Sequence, residues 1–434
     1  MAVLPTLSAA HAALPFSAVQ HPMVLPPDIT LSRAVDAINA LQAFYNQTTG
    51  LWNSTGWWNS GNCLTVYAEY VAFSHSIQNE GFEVFSNTLE KAQNFNISMV
   101  DVISPKRYQY MIEQSAQWVE IPGNGNATRD GTIGSNGKRD NVEVHLPFPS
   151  GLNMPSAQSF PGFINDFYDD EAWWALGWLQ AWEATNKNET RYLSMAESIF
   201  EDIRAGWSDG TTNLTSCQGI WWDKGNTAIN AIENELFITL SASLANRILD
   251  KKDYYLDWAL KVWSWFQGTG MITEKYSIND GINLTTCKNN GLPVWTYNQG
   301  VILGALVELH IAKPNTTLID IASNIANKAI DSFTDQATGV IKELCDPYCG
   351  SDGQQFKGVF IRNLYKLWKQ TGTPLYLETI QKNAESIYAN DRGEGNYFGP
   401  AWGGPYIAAQ SNAGSHSSAS DAIVAAAMAV GVPT

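Results

Sequence analysis

A helical pattern that returns about every sixty residues constrains this chain more than any single motif. An aromatic residue or leucine, followed four positions later by a small or aliphatic one, opens an amphipathic run at Tyr192/Ala196, Tyr255/Ala259, Leu318/Ala322 and Tyr376/Ile380. Such self-similarity marks one supersecondary unit used repeatedly, because a single unit cannot bury its own apolar face. In the first copy Tyr192, Met195, Ala196, Ile199, Phe200 and Ile203 fall at helical spacing with charges opposite; Ala322, Ile325, Ala326, Ala329, Ile330 and Phe333 do the same. One apolar stripe predicts a helix with one face in the core and the other in water.

Between these amphipathic runs lie stretches that are apolar nearly all round: 172–184, 228–244, 300–311 and 356–368, with 64–73 before and 419–430 after them. A helix without a polar face must be enclosed on all sides. Outer helices near 30–46 and 82–95 complete a second set. Six enclosed and six amphipathic helices in alternation predict an all-α fold, an (α/α)6 barrel of six inner and six outer helices. The expected organisation is an N-terminal extension over 1–28 and one catalytic domain over 29–434. Residues 1–20 lack the basic start and clean apolar core of a signal peptide. The Gly-, Asn-, Pro- and Ser-rich stretch 122–163 is too long for an ordinary connection and reads as a lid or wall of a site.

The unusual clusters all precede predicted inner helices. Trp57, Trp58 and Asn59 lead into the first, Tyr168-Asp169-Asp170 with Trp174 into the second, and Trp221-Trp222-Asp223 with Asn230 into the third. Trp295-Thr296-Tyr297-Asn298-Gln299 leads into the fourth, and Trp402 lies in the segment before the last. If the inner helices run parallel, these loops converge on one end of the barrel. Aromatic rings beside polar groups suit a sugar cleft, where apolar pyranose faces lie on rings and hydroxyls hydrogen-bond at the edge. The competing reading of these Trp residues is core packing.

Asp169 and Asp170 are the first candidates for chemistry, since glycosidic cleavage uses one carboxyl group to attack or to activate water and another to donate a proton. The alternative is that Asp170 only caps the helix that follows. Asp166 and Glu171, their neighbours, read as helix-entry charges. A position in a first turn favours an ionised carboxylate, while desolvation against the surrounding rings favours a protonated one. Charge counting does not divide those two parts between the pair.

The net charge of −16 would repel a phosphate backbone, so nucleic acid is excluded as a partner, and no apolar run reaches membrane-spanning length. Eight Asn-x-Ser/Thr sequons, at Asn46, Asn53, Asn96, Asn126, Asn188, Asn213, Asn283 and Asn315, point to a glycosylated, secreted protein. In an oxidising compartment four of the five cysteines can pair. The pairs expected are Cys345 with Cys349 and Cys217 with Cys287, leaving Cys63 a buried thiol, although connectivity is not fixed by sequence. No Cys-x-x-Cys pair or His cluster supports a metal site.

Six motifs in order, Gly-Trp-Trp-Asn-Ser-Gly-Asn (56–62), Tyr-Asp-Asp-Glu-Ala-Trp-Trp-Ala-Leu-Gly-Trp (168–178), Gly-Ile-Trp-Trp (219–222), Asn-Ala-Ile-Glu-Asn-Glu-Leu-Phe (230–237), Ile-Asn-Asp-Gly (278–281) and Val-Trp-Thr-Tyr-Asn-Gln-Gly (294–300), resemble glycoside hydrolase family 76, the endo-α-1,6-mannanases. The resemblance spans about residues 30–430. It implies an (α/α)6 barrel and a retaining mechanism, with Asp169 as nucleophile and Asp170 as acid/base. It also implies that Asp280, Tyr297 and Asn298 line the sugar subsite, and that neither a metal nor a cofactor is needed. One departure is Ser216-Cys217-Gln218-Gly219, where members of the family often have a run of glycines after the cysteine.

The resulting expectation is a secreted, monomeric enzyme cleaving internal bonds of α-1,6-linked mannan or mannooligosaccharide. The alternatives are a mannan transglycosylase of the same family that remodels cell-wall glycans, a non-catalytic glycan-binding barrel, and a glycosidase of the same fold acting on another polysaccharide.

Overall fold

The computed structural model describes residues 26–74, 76–94, 161–211 and 214–431. Most of the predicted 1–28 extension and all but the last few residues of the 122–163 stretch lie outside these. Among the described residues there are twelve α-helices: α1 Pro27–Gln42, α2 Trp57–Ser74, α3 Gln78–Lys91, α4 Tyr168–Ala184, α5 Thr190–Ala205, α6 Ala231–Arg247, α7 Lys252–Thr269, α8 Thr296–Ala312, α9 Thr316–Phe333, α10 Gly350–Thr371, α11 Pro374–Asn390 and α12 Ala413–Val430. Three short antiparallel hairpins, β1/β2 (Tyr45–Asn46, Leu51–Trp52), β3/β4 (Trp207–Asp209, Gln218–Ile220) and β5/β6 (Ile282–Asn283, Lys288–Asn289), fall in the connections.

The even-numbered helices form a closed ring. Each packs on the next, α2 on α4, α4 on α6, α6 on α8, α8 on α10 and α10 on α12, and α12 returns to α2. The odd-numbered helices pack outside them, α5 on α4, α7 on α6, α9 on α8, α1 and α11 on α12, and α3 on α2. This is the predicted (α/α)6 barrel, and the repeat signal has a direct physical origin. Tyr192, Tyr255, Leu318 and Tyr376 occupy equivalent places near the starts of outer helices, all buried against the inner ring.

Close approach within the ring depends on missing side chains. A Cβ on Gly300 of α8 would lie 2.5 Å from the Cα of Phe360 on α10, and one on Gly358 of α10 would lie 2.5 Å from the Cα of Ser418 on α12. Helix backbones meet at these points, so any larger residue must push the ring apart.

Five of the six inner helices begin one to two turns earlier than their apolar runs suggest, while α6 begins at Ala231, three residues after the start of its 228–244 run. Helix α10 starts at Gly350 rather than near Phe356, α12 at Ala413 rather than Ala419, and α2 at Trp57 rather than Leu64. Polar residues such as Asn59, Gln355 and Ser417 occupy those first turns, and there they bond one another instead of water. Asn59 Nδ2 donates to Gln355 Oε1 at 2.8 Å, and Gln355 Nε2 donates to Ser417 Oγ at 2.8 Å. A polar first turn looks like a loop in sequence but belongs to a helix whose neighbours supply the partners.

All inner helices run in one direction. Their starts are joined by the bonds just given and by Asn412 Nδ2 to Gln354 Oε1 at 2.6 Å. Their ends are joined by Arg247 of α6, which pairs with Glu183 of α4 at 3.0 Å and Glu308 of α8 at 3.2 Å. Cys217 is bonded to Cys287 and Cys345 to Cys349, while Cys63 is a buried free thiol. Among the described residues no helix is long and apolar enough to cross a membrane.

Candidate active site at the N-terminal ends of the inner helices

Asp169 and Asp170 sit in the first turn of α4, where Phe167 holds the N-cap position without a side-chain cap bond. Asp170 is therefore not the cap. The segment ahead of the helix is fixed by the loop that carries Trp222: Tyr168 N–H donates to Trp222 O at 3.0 Å and Lys224 N–H to Asp166 O at 2.9 Å. Phe167 also packs on the Trp222 ring, centroids 4.9 Å apart. That zipper brings the Trp222 side chain to the Asp169 carboxylate, to which it hydrogen-bonds.

The two carboxyls stand in different surroundings. Burial pushes Asp169 up to about 7, opposed by the Trp222 side chain and by the backbone N–H groups of Asp169 and Asp170, which favour its charged form. Burial drives Asp170 well above the usual carboxylate range, and the charge of Asp169 drives it further. Its partner Asn165, which donates from Nδ2 to Oδ2 at 2.7 Å, pulls the other way. The pair thus holds a proton preferentially on Asp170, with Asp169 the first to ionise. Two neighbouring groups pushed apart in this way are what acid/base chemistry near neutral pH requires.

The other acids near the pair have different tasks. Asp166 is exposed. Glu171 is fully buried, and its Oε1 is tied to Lys224 at 3.0 Å and to the Asn165 N–H at 3.0 Å, so it orders the entry segment.

Two acids that sequence reasoning passed over act on the pair through their charge. Glu233 in the first turn of α6 feels the charge of Asp169, which helps raise it well above the usual range behind its larger burial effect. Its Oε1 closes a capping box with Asn230 and accepts from Asn234 Nδ2 at 3.1 Å. Asp352, in the first turn of α10, raises both Asp169 and Asp170 by its charge. The available signal was position alone: an acid in the first turn of an inner helix, the same place as the pair.

The predicted aromatic set divides. Trp58 and Trp222 are half-buried at this end, Trp58 stacking on Trp173 at 5.9 Å and donating its indole N–H to Asp352 Oδ1 at 3.2 Å. Tyr297 is half-buried and stacks on Phe356 with centroids 3.8 Å apart. Trp57, Trp174 and Trp402 are corrections to the sugar-binding expectation, being 5%, 0% and 1% exposed. Trp57 and Trp174 form one packed cluster with Phe163 and Trp178, and Trp402 lies beneath the Lys357 ammonium. Neighbouring rings, or for Trp402 the Lys357 ammonium, already occupy faces a sugar would need.

The polar residues divide similarly. Asn59, Gln299 and Trp295 are buried, and the first two are spent on structure: Gln299 accepts from Ile278 N–H at 2.9 Å and donates to Ile278 O at 2.9 Å. Asn230 caps α6. Asp280 is 4% exposed, accepts at its backbone carbonyl from Ala231 N–H at 2.7 Å, and its charge reaches Glu233 and Glu235. Asn298 is fully buried, and neither side-chain atom finds a partner among the described residues. Buried polar groups are normally satisfied, so an unpaired amide one residue from Tyr297 fits a ligand-facing place.

Among the described residues, the opposite end of the ring holds a cavity of paired charges. The cavity there is lined by Glu69, Arg247, Glu308, Arg362 and Lys366, and its charges are largely matched, Arg362 pairing with Asp421 at 3.3 Å. Of the predicted sequons, Asn53, Asn188, Asn283 and Asn315 are exposed and Asn46 is half-buried, while Asn96, Asn126 and Asn213 lie outside the described residues.

Comparison with known proteins agrees with this fold. The family model described as Glycosyl hydrolase family 76 matches residues 149–433. The mannan endo-1,6-alpha-mannosidase DCW1 of Candida albicans is 30% identical over 212 residues, 45% of this chain and 46% of that protein. A putative mannan endo-1,6-alpha-mannosidase of Schizosaccharomyces pombe is 26% identical over 268 residues, 58% of this chain and 57% of the relative. The chain thus spans about half the length of the curated relatives it matches. Among solved structures, an inactive double Asp-to-Asn variant of the α-1,6-mannanase GH76A of Salegentibacter sp. HEL1_6, in complex with α-1,6-mannotriose, is similar with a TM-score of 0.68 at 18% identity, covering 92% of this chain and 99% of that one. Dfg5 from Chaetomium thermophilum, in complex with glucosamine, is similar with a TM-score of 0.67 at 16% identity, covering 95% and 94%. At these identities the structures speak for the fold alone.

Proposed function

The chain belongs to glycosyl hydrolase family 76, and from that premise we propose that it is a retaining endo-acting glycosidase that cleaves α-1,6-mannosidic bonds, with Asp169 as nucleophile and Asp170 as acid and then base. The observation that carries the reading is the unequal pair in the first turn of α4, one carboxyl easier to ionise and the other held protonated. The Asp169 carboxylate attacks the anomeric carbon as the bond to the leaving oxygen breaks, and Asp170 gives that oxygen its proton. In the second half Asp170, now a carboxylate, takes a proton from water. The resulting hydroxide equivalent attacks the anomeric carbon and releases Asp169. The relatives named as mannan endo-1,6-alpha-mannosidases support the substrate, and the exposed sequons support secretion.

Trp58, Trp222, Tyr297, Asn298 and Asp280 are proposed to line the sugar site. The test is incubation with linear α-1,6-mannan, with branched mannan as comparison, followed by product sizing and by NMR of the first-formed anomer. Short oligomers with the α-anomer first support the reading. Release of mannose alone overturns endo action, the β-anomer overturns retention, and tight binding without any reducing-sugar release overturns catalysis. An acceptor mannoside in excess reports how much of the mannosyl-enzyme passes to sugar instead of water.

A further inference from the structure

We infer that Asp352 is a third carboxylate of the sugar site, accepting hydroxyl hydrogen bonds from the sugar unit held between α4 and α10. The inference rests on the mannan reading above and names a residue that no motif of the chain singles out.

The ring order carries the argument. Going round from α2, the inner helices follow as α4, α6, α8, α10 and α12, so α10 is the member directly across from α4. Both helices present their first turns at the same end, and Asp352 occupies on α10 the place that Asp169 and Asp170 occupy on α4. A sugar bound by the pair has α10 on its far side.

Trp58 supplies the bridge between the two sides. Starting α2, next to α4, it stacks on Trp173 of α4 and sends its indole N–H across to Asp352 Oδ1 at 3.2 Å. Asp352 is only 9% exposed, so its carboxylate is turned inward and is not a solvated surface charge. The negative charge of Asp352 also disfavours ionisation of both members of the pair. Facing Asp169 are Trp222, Glu233 and Asp352; facing Asp170 are Asn165, Asp169, Glu171 and Asp352.

Asp352→Asn separates binding from architecture, because the amide oxygen can still accept the Trp58 N–H. The variant is compared with wild type for cleavage of α-1,6-mannotetraose across pH, and for calorimetric binding of the tetraose in an Asp170→Asn background. The expected result is a fall of about ten- to a hundredfold in kcat/KM, the range for losing a hydrogen bond to a charged group. Weaker binding should accompany it, with thermal unfolding near that of the parent. Removing a neighbouring negative charge also eases ionisation of the pair, so both limbs of the pH profile move to lower pH. A variant with wild-type kcat/KM, unchanged binding or unmoved limbs overturns the proposal while leaving the mannan reading intact. A wild-type chain that neither cleaves nor binds the tetraose overturns the mannan reading, and this proposal falls with it.

Discussion

The side-chain amide of Asn165 donates to Asp170 Oδ2 at 2.7 Å from a segment that is itself pinned by the Asn165 N–H to Glu171 Oε1 at 3.0 Å. An amide donor favours the charged form of Asp170 against the burial that opposes it. Replacing it by alanine removes that moderation. With Asp170 in the proposed role of proton donor, Asn165→Ala should move the alkaline limb of kcat/KM to higher pH and lower kcat, as the acid weakens and loses its orientation. An unmoved limb would show that Asn165 has no hold on the acid.

The pair itself sets the shape of the profile. In the proposed mechanism activity requires one proton shared between Asp169 and Asp170, so the rate should rise as the first proton leaves, near pH 7, and fall at higher pH as the second leaves. Asp169→Asn and Asp170→Asn should each reduce turnover at least a thousandfold, on the order of the loss when a member of a catalytic constellation is removed. Far-ultraviolet circular dichroism should stay as in the parent.

Stability should move the other way. Both carboxyls are raised above their unfolded value of about 4, so folding is favoured while they are protonated and loses support as pH climbs toward their folded values. Asp170→Asn removes a group that resists ionisation in place. It should raise Tm by the equivalent of about 0.5–2 kcal/mol at pH 8, with little change at pH 4. Calorimetry at the two pH values checks this, and an equal effect at both would refute the ionic origin.

Trp222→Phe keeps a ring to pack on Phe167 and deletes the donor to Asp169. Asp169 then ionises less readily, and the acid limb should move to higher pH. Trp222→Ala should add a loss of substrate affinity, measured as a rise in KM, that Trp222→Phe does not show.

Gln299→Ala tests a structural residue. Its amide serves both the N–H and the carbonyl of Ile278, and alanine would leave two buried backbone groups unpaired. A loss of about 2–4 kcal/mol in urea unfolding is expected. Gly300→Ala should cost a comparable amount, because its Cβ would meet the Phe360 backbone.

What could be read from the chain divides along physical lines. The outer helices were legible because Tyr192, Tyr255, Leu318 and Tyr376 each begin a stripe with water on its other side, and contrast between two faces is what periodicity detects. The beginnings of inner helices were not, because residues such as Asn59 and Gln355 are polar yet satisfied by each other. The Asp pair stood out by adjacency, and Asp352 did not, lying alone among serine, glycine and glutamine. Trp57 and Trp58 show the limit most clearly. Successive helical residues point about 100° apart, so one indole packs on Trp174 while the next reaches Asp352, and nothing in their order distinguishes them.

The return of α12 to α2 has a consequence for how the molecule comes apart. A linear stack of helical hairpins has two free ends and can fray one unit at a time, whereas a ring has none. Opening any seam exposes two inner faces at once, and every other helix keeps its direction only while its neighbours keep theirs. Denaturation of the described helices should therefore be a single cooperative event, with amides in α2 and α12 exchanging with solvent as slowly as those in α6, on the far side of the circle.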